Sequence, residues 1–294
     1  MSTYRRYQEA RDTAWRALLR VRDKRLPIDP EALSRDVGME IVPFPDSGEQ
    51  PRLWDMVQRA GGGMCVSLRI RGAWHIFLRE QGMDDAARRF SVAHELGHLL
   101  LGHETYALSP GVRAFRSREN AGDLMEDPDS LEDYAADIFA IRLLAPACLL
   151  HEMRIDTPGG IMRACALPPR AAALRAERME VLNQRDAFFV HPLEKQVRQA
   201  FLPFLRAWRA SEGMPAAPGD EGLASRAEGK MGEAKESAPA APRLILPQAL
   251  GAHEDRTGPQ GAGHPRTGRK KKGALGAAAL FLGAAALFFL LMKK

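Results

Sequence analysis

The stretch that decides the fold is Phe90-Ser-Val-Ala-His-Glu-Leu-Gly-His-Leu-Leu-Leu-Gly-His103. His94 and His98 are four residues apart in it, so on a helix both lie on one face, about one turn from each other. This spacing lets both imidazoles bind one tetrahedral metal ion, usually zinc, while Glu95 serves as general base toward a water on the metal. The surrounding apolar residues predict a buried helix, as a site within a core requires.

An ordinary amphipathic helix with two core histidines is the alternative interpretation of this stretch. It explains poorly why two histidines and one glutamate occupy an otherwise apolar helix, because burying such groups without partners is costly. A decision between the two interpretations depends on whether the rest of the chain supplies a third ligand.

Composition limits the classes of protein to consider. The chain has 294 residues, a net charge of +5 and three cysteines, Cys65, Cys148 and Cys165. Part of the positive charge lies near the C-terminus, so we expect no direct nucleic-acid binding. The cysteines have no metal-ligand spacing and fit a reducing compartment. The N-terminal residues lack the apolar core of a signal peptide, so we expect the bulk of the protein in the cytoplasm.

Periodicity predicts an α+β chain in which helices dominate. The predicted helices are 3–24, a short one from Asp29-Pro30 to near Gly38, 84–101 with the histidine motif, 131–144, and several within 147–210. The predicted strands are 39–44, 64–69 and 73–79, the last two forming a hairpin. Residues 104–128 are predicted to be a loop. Residues 161–175 could form a helix-turn-helix pair, although two packed helices without DNA contacts have the same pattern.

The C-terminal part of the chain has a different composition. Residues 213–268 are rich in Ala, Pro, Gly and charged residues, which is typical of a disordered linker. Residues 273–292 form an uncharged run of 20 apolar and small residues. Such a run spans about 30 Å as a helix, enough to cross a bilayer. The sequence therefore predicts a tail anchor over 269–294.

Basic residues flank the predicted membrane helix, with four at 269–272 and two at 293–294. This distribution favours a cytoplasmic N-terminal part. Gly276, Ala279, Gly283 and Ala286 form a stripe of small residues that could pack against a second helix, so a dimer could form through this segment.

A catalytic zinc site needs a third protein ligand besides two histidines. The predicted helix 131–144 offers Glu132, Asp133 and Asp137. One carboxylate could bind the metal while another accepts the Nδ1 proton of a ligand histidine. His103 lies on another side of its helix unless Gly102 turns the chain, so a supporting role beside the ligands is expected for it. The choice between Asp133 and Glu132 as ligand stays open.

Over about residues 5–200, the chain resembles the ImmA/IrrE family of metallo-endopeptidases. The resemblance depends on three segments: 26–41, the histidine motif within 89–103, and Asp133-Tyr-Ala-Ala-Asp-Ile-Phe-Ala-Ile-Arg-Leu-Leu-Ala-Pro146. It implies a mainly helical zincin-like peptidase domain with a small antiparallel sheet. Asp133 aligns with the family's metal-binding Glu, which is a departure from the family pattern. The family's activity implies cleavage of a helix-turn-helix repressor in the cytoplasm.

These observations together predict a zinc-dependent endopeptidase tethered to the cytoplasmic membrane. His94, His98 and Asp133 (or Glu132) would bind the metal, Glu95 would be the catalytic base, and Asp137 and His103 would support the ligands. Zinc is the expected metal, although Mn2+ or Fe2+ would also fit these ligands. The predicted domains are a peptidase domain (1–146), a helical subdomain (147–212), the linker and the anchor.

Two points remain open in this prediction. A non-catalytic, membrane-anchored sensor or adaptor on a degenerate peptidase fold is the alternative function, and the Asp133 departure is its best support. The group that stabilises the developing oxyanion is also undecided, and the candidates are Tyr106, Tyr134, His75 and His151.

Overall fold

A computed structural model describes residues 3–44, 51–60, 65–79, 82–115 and 131–213. All of them belong to one compact unit. The predicted anchor (269–294) and the predicted linker after Gly213 lie outside the described residues. The predicted division between 1–146 and 147–212 stays a prediction.

Ten helices and five strands are found in the described residues. The helices are α1 (Thr3–Arg20), α2 (Pro30–Asp36), α3 (Pro51–Arg59), α4 (Asp85–Leu101), α5 (Leu131–Leu144), α6 (Ala147–Glu152), α7 (Pro158–Cys165), α8 (Pro169–Gln184), α9 (Pro192–Ala200) and α10 (Leu202–Ser211). The strands are β1 (Met39–Phe44), β2 (Cys65–Ile70), β3 (Ala73–Arg79), β4 (Thr105–Ser109) and β5 (Val112–Phe115).

Local sequence signals set most of the helix ends. Asp29 caps α2 by accepting hydrogen bonds from two backbone amides, and Asp84 does the same for α4 at the Ala87 amide. Helix α1 ends at Arg20 rather than at residue 24 as predicted. The Lys24 ammonium folds back and donates to the Leu18 and Leu19 carbonyls, 3.0 and 2.8 Å away, which satisfies carbonyls left free at the helix end.

The sheet is mixed rather than antiparallel, which corrects the prediction. Its strand order is β1-β3-β2-β5-β4, and β1 runs parallel to β3, while all other pairs are antiparallel. The predicted loop 104–128 is also wrong over its first part, because β4 and β5 form a hairpin there around Pro110-Gly111. Residues 116–130 lie outside the described part of the chain.

One face of the sheet packs on the helices. Ile76 and Leu78 of β3 point to that face and join a core shared with α1, α4 and α5. Because side chains alternate along a strand, Phe77 points to the other face, where it is buried as well. Helices α4 and α5 pack directly on each other, and α1 packs on α5.

The C-terminal helices α6 to α10 confirm the helical prediction for 147–210. Helices α7 and α8 contact each other across a short turn in which Ala166 takes a left-handed conformation, so two packed helices are present in this segment. One helical stretch of the described residues, Leu131–Glu152, is long and apolar enough to span a membrane. It is mostly buried inside the protein, as core helices are, and is weak evidence for a span.

Candidate metal centre

Helices α4 and α5 approach closely at Gly97. A Cβ at this position would lie 2.9 Å from Cδ1 of Phe139 and 3.2 Å from Cα of Ala136, both on α5. These distances are too short for any side chain, so glycine lets the two backbones pack at this separation. The glycine between the two histidines therefore brings the acidic face of α5 to the histidine face of α4.

Three possible metal ligands meet at this helix contact. Nε2 of His94 lies 3.0 Å from Nε2 of His98, and Oδ1 of Asp133 lies 3.3 Å from the His98 nitrogen and 3.8 Å from the His94 nitrogen. All three side chains are buried. They form the one group of three or more metal-binding side chains found in the described residues.

The chemistry and spacing of these donors fit a divalent metal ion such as zinc. Zinc bonds to histidine nitrogen and carboxylate oxygen are about 2.0–2.2 Å long, so the ligand atoms of a tetrahedral site lie about 3.3 Å apart. The three measured separations bracket this value. Two neutral nitrogen donors and one carboxylate leave a fourth position, which is the ligand set of catalytic rather than structural zinc sites.

Asp137 fixes the orientation of His94. Its Oδ1 lies 2.8 Å from Nδ1 of His94, so the imidazole points Nε2 toward Asp133 and His98. Burial alone would lower the pKa of His94. The hydrogen bond to Asp137, together with the charges of Asp137, Glu95 and Asp133, outweighs burial and raises this pKa to about 9. The metal-free site therefore holds a proton at neutral pH where a metal ion would sit.

His103 supports the second histidine. Gly102 ends α4 in a left-handed conformation at φ 68°, and the His103 amide then donates to the His98 carbonyl. This turn places Nδ1 of His103 2.9 Å from Nδ1 of His98. Burial, and then the neighbouring His98 and His94, lower the pKa of His103 to about 2. Neutral His103 can accept the Nδ1 proton of His98, which leaves the His98 Nε2 lone pair for a metal.

Glu95 is buried next to His94, and only 1% of it is exposed. Its Oε2 has no hydrogen-bond partner among the described residues. A buried carboxylate oxygen without a partner is costly unless water or a ligand meets it. Such an oxygen, one residue from a possible metal ligand, is suited to accept a proton.

The alternative ligand Glu132 points elsewhere. Its Oε1 lies 3.5 Å from the Glu104 amide, and the side chain is partly exposed in the first turn of α5. The metal group within the described residues includes Asp133 and not Glu132.

The four residues considered as stabilisers of the oxyanion lie in different surroundings. The Tyr106 hydroxyl donates to the Arg59 carbonyl, and His151 stacks on Phe188 among the C-terminal helices. His75 alternates with Trp74 along β3, so it points away from the helical face of the sheet. Tyr134 is partly buried, which raises its pKa, and interacts electrostatically with Tyr7 and Arg142.

Phe115 is a site residue that the sequence prediction missed. Its ring stacks on His98 with a centroid distance of 5.2 Å, and Trp74 stacks on Phe115 at 4.4 Å. These two rings form an apolar wall that holds the His98 imidazole. Phe115 lies on β5, within the segment predicted as a loop. The turn dipeptide Pro110-Gly111 between two short strand-like runs was the available signal.

Comparison with known proteins relates this part of the chain to a peptidase family. Residues 54–159 match the family model of peptidase M78, described as the IrrE N-terminal-like domain. Among curated proteins, no match is found. The matched range includes both histidines, Glu95, His103 and the two aspartates of α5. The predicted family resemblance is confirmed over residues 54–159, which are similar to the IrrE N-terminal-like domain of the peptidase M78 family.

Proposed function

We propose that this protein is a zinc-dependent endopeptidase that hydrolyses peptide bonds of a regulatory protein at the cytoplasmic membrane. The observation that carries the proposal is the meeting of His94, His98 and Asp133 within bonding distance of one ion, beside the buried Glu95. The peptidase family of the domain supports the same reaction class.

His94, His98 and Asp133 would hold the metal. When bound, a divalent ion there would polarise the scissile carbonyl and lower the pKa of water. Asp137 and His103 keep the two imidazoles in place through their Nδ1 atoms. Glu95 would take a proton from the attacking water and deliver it to the leaving amine, since its unpartnered Oε2 is ready to accept one.

Strand β4 offers a binding mode for the substrate. It begins at Thr105, directly after the His103-Glu104 pair, and lies at the edge of the sheet. None of its five residues is buried, and no described strand pairs with its outer edge. An extended peptide can add to such an edge through backbone hydrogen bonds, so we propose that the substrate binds as a strand beside β4.

Glu95→Gln tests the reaction. This substitution removes the base and keeps the shape of the side chain, so we expect the variant to bind zinc and to lose cleavage. Glu177→Gln, on the exposed side of α8, is the matched control and should cleave like the wild type. Proteomics of cleavage products in cells with wild-type or Glu95→Gln protein would identify the substrate. Cleavage retained by Glu95→Gln would refute the proposed base.

Membrane tethering is supported by the uncharged 20-residue run at 273–292 and its basic flanks. A helix-turn-helix repressor as substrate is supported by the resemblance to the ImmA/IrrE family. Fractionation of cells with the full chain and with a chain ending at residue 268 tests the anchor, since only the full chain should sediment with membranes. A repressor among the Glu95-dependent products would support the substrate assignment.

A non-catalytic adaptor is the second candidate, favoured by the shorter aspartate at the third ligand position. Metal analysis of the purified full chain separates the two functions. The peptidase should hold one equivalent of zinc per chain and lose it in the Asp133→Ala variant. A chain without stoichiometric metal that still binds its partner would favour the adaptor.

A further inference from the structure

A polar cavity lies apart from the candidate metal centre, among α1, α5, α8 and α9. Its volume is about 310 Å3, and four arginines line it: Arg11, Arg142, Arg175 and Arg178. None of the possible metal ligands lines it. Arg142 follows Asp133 by nine residues on α5, which places it about 13 Å further along the helix.

Three of these guanidinium groups have no carboxylate partner among the described residues. Arg142 donates to the Tyr7 hydroxyl and lies over its ring, and Arg175 donates to the Ala145 carbonyl at 2.6 Å. Nε of Arg178 is buried and has no hydrogen-bond partner among the described residues. None of the three is within 4.0 Å of a carboxylate oxygen in the described part of the chain. Of the four arginines, Arg11 alone forms an ion pair within the described residues, with Asp12 at 2.8 Å.

One carboxylate, Glu194, lines the cavity. It cannot balance three guanidinium groups, so the cavity keeps an excess of positive charge. Arg175 is 3% exposed. Burial, and then the charge of Arg142, lower the pKa of Arg175 to about 9. Arginine keeps its proton in proteins, so the lowered pKa indicates that burial makes the charge of Arg175 unfavourable. A bound anion would stabilise this charge.

We propose that this cavity is a binding site for a phosphate group, either inorganic phosphate or the phosphate of a small metabolite. Arg142 approaches from α5, whereas Arg175 and Arg178 approach from α8. The tetrahedral oxygens of a doubly charged phosphate can accept from donors in several directions, and arginine forks match phosphate well. The side chains of Tyr7 and Trp15 add aromatic surface to the wall, which suits the organic part of a phosphorylated molecule.

Inorganic phosphate is the probe for the test, titrated into the full-length protein in detergent by calorimetry and by thermal unfolding. Chloride and acetate at equal ionic strength are the reference anions. Arg178→Gln removes one guanidinium from the cavity. Arg185→Gln is the matched control, since Arg185 is exposed at the end of the same helix and does not line the cavity.

We expect phosphate to bind the wild type with a stoichiometry of one and to raise its melting temperature, with no such effect from acetate. Arg178→Gln should bind phosphate at least about tenfold more weakly, and Arg185→Gln should bind it like the wild type. Arg178→Lys, which keeps the charge, should give an intermediate affinity and guards against a folding defect. Equal effects of phosphate and acetate, or unchanged affinity in Arg178→Gln, would overturn the proposal.

A phosphorylated metabolite would be distinguished from free phosphate by small-molecule mass spectrometry of the purified protein after denaturation. Phosphate binding and peptide cleavage are measured independently. The protein could therefore bind phosphate without cleaving peptides, or cleave peptides without binding phosphate.

Discussion

Oδ1 of Asp137 on α5 lies 2.8 Å from Nδ1 of His94 on α4, and this contact sets which nitrogen of His94 faces the metal centre. The bond joins the two helices that supply the possible ligands. It also makes the ring a better donor, because a carboxylate at Nδ1 raises the basicity of Nε2.

Asp137→Ala should weaken zinc binding by about 10- to 100-fold. The alanine leaves His94 without a partner at Nδ1, so the ring loses both its orientation and its added basicity. Asp137→Asn keeps an oxygen that can accept the Nδ1 proton and should lose less affinity. Competition with a chromophoric chelator measures both values. Equal zinc affinity in wild type and Asp137→Ala would show that Asp137 does not support the ligand.

Asp133 and Glu132 should differ in their effect on metal content. Asp133→Asn removes the carboxylate near both histidine nitrogens, so we expect the purified variant to lose stoichiometric zinc. Glu132→Gln changes a side chain that points to the Glu104 amide and should keep the metal. Elemental analysis of the two variants decides the question that the sequence left open. The reverse pattern would assign the metal to Glu132.

Gly97→Ala should disturb the candidate metal centre although it changes none of the possible ligands. Its new Cβ would lie 2.9 Å from the Phe139 ring, so either this ring or the two helices must shift. We expect a loss of about 1–3 kcal/mol in the free energy of unfolding, together with weaker zinc binding. Gly159→Ala on α7 is the control, since its Cβ would meet only the Arg163 guanidinium at 3.6 Å. Chemical denaturation measures both variants, and equal stabilities would contradict the close helix contact.

Zinc binding should release a proton and strengthen as the pH rises. His94 of the metal-free protein has a pKa of about 9, so it is protonated at neutral pH and must lose this proton to bind metal. Apparent affinity should therefore rise about tenfold per pH unit between about pH 6 and about pH 8. Titrations in buffers of different ionisation enthalpy would count the proton. A flat pH profile would show that His94 is already neutral in the metal-free protein.

The same shift predicts how the stability of the metal-free protein depends on pH. The folded-state pKa of His94 is raised above its ordinary value of 6.5, so its contribution is fully present below about pH 6.5 and is lost as the pH rises through about 9. Thermal unfolding of chelator-treated protein should show this decline, while His94→Gln should not. A constant stability over this range in the metal-free wild type would contradict the raised pKa.

Hydrophobic periodicity and helix-capping residues predicted most of the helices and strands. Helix α5 was predicted with its observed bounds, and α4 began one residue later than predicted because Asp84 serves as its cap. The hairpin β4–β5 was missed because its strands are short and partly polar, so their pairing depends on the neighbouring strand β2. The parallel pairing of β1 with β3 is likewise a long-range contact that no local pattern specifies.

The candidate site could likewise be predicted only in part, because some of its contacts join residues that are far apart in the sequence. The His94–His98 pair follows from helical spacing, and the acidic face of α5 could be predicted from its composition. Which acid faces the histidines depends on how α5 is rotated against α4, a tertiary contact at which Gly97 lies close to Phe139 and Ala136. The Phe115 wall depends on sheet pairing and could not be predicted without it.

The separation of the ligands along the chain has a consequence for biosynthesis. His94 and His98 leave the ribosome well before Asp133, and α1 must already be present for α5 to pack on it. A metal ion therefore cannot be held by all three ligands until α5 has been made and has docked. Metal loading would thus follow the docking of α5 on α1 and α4, and a nascent chain that ends before this helix would lack the third possible ligand.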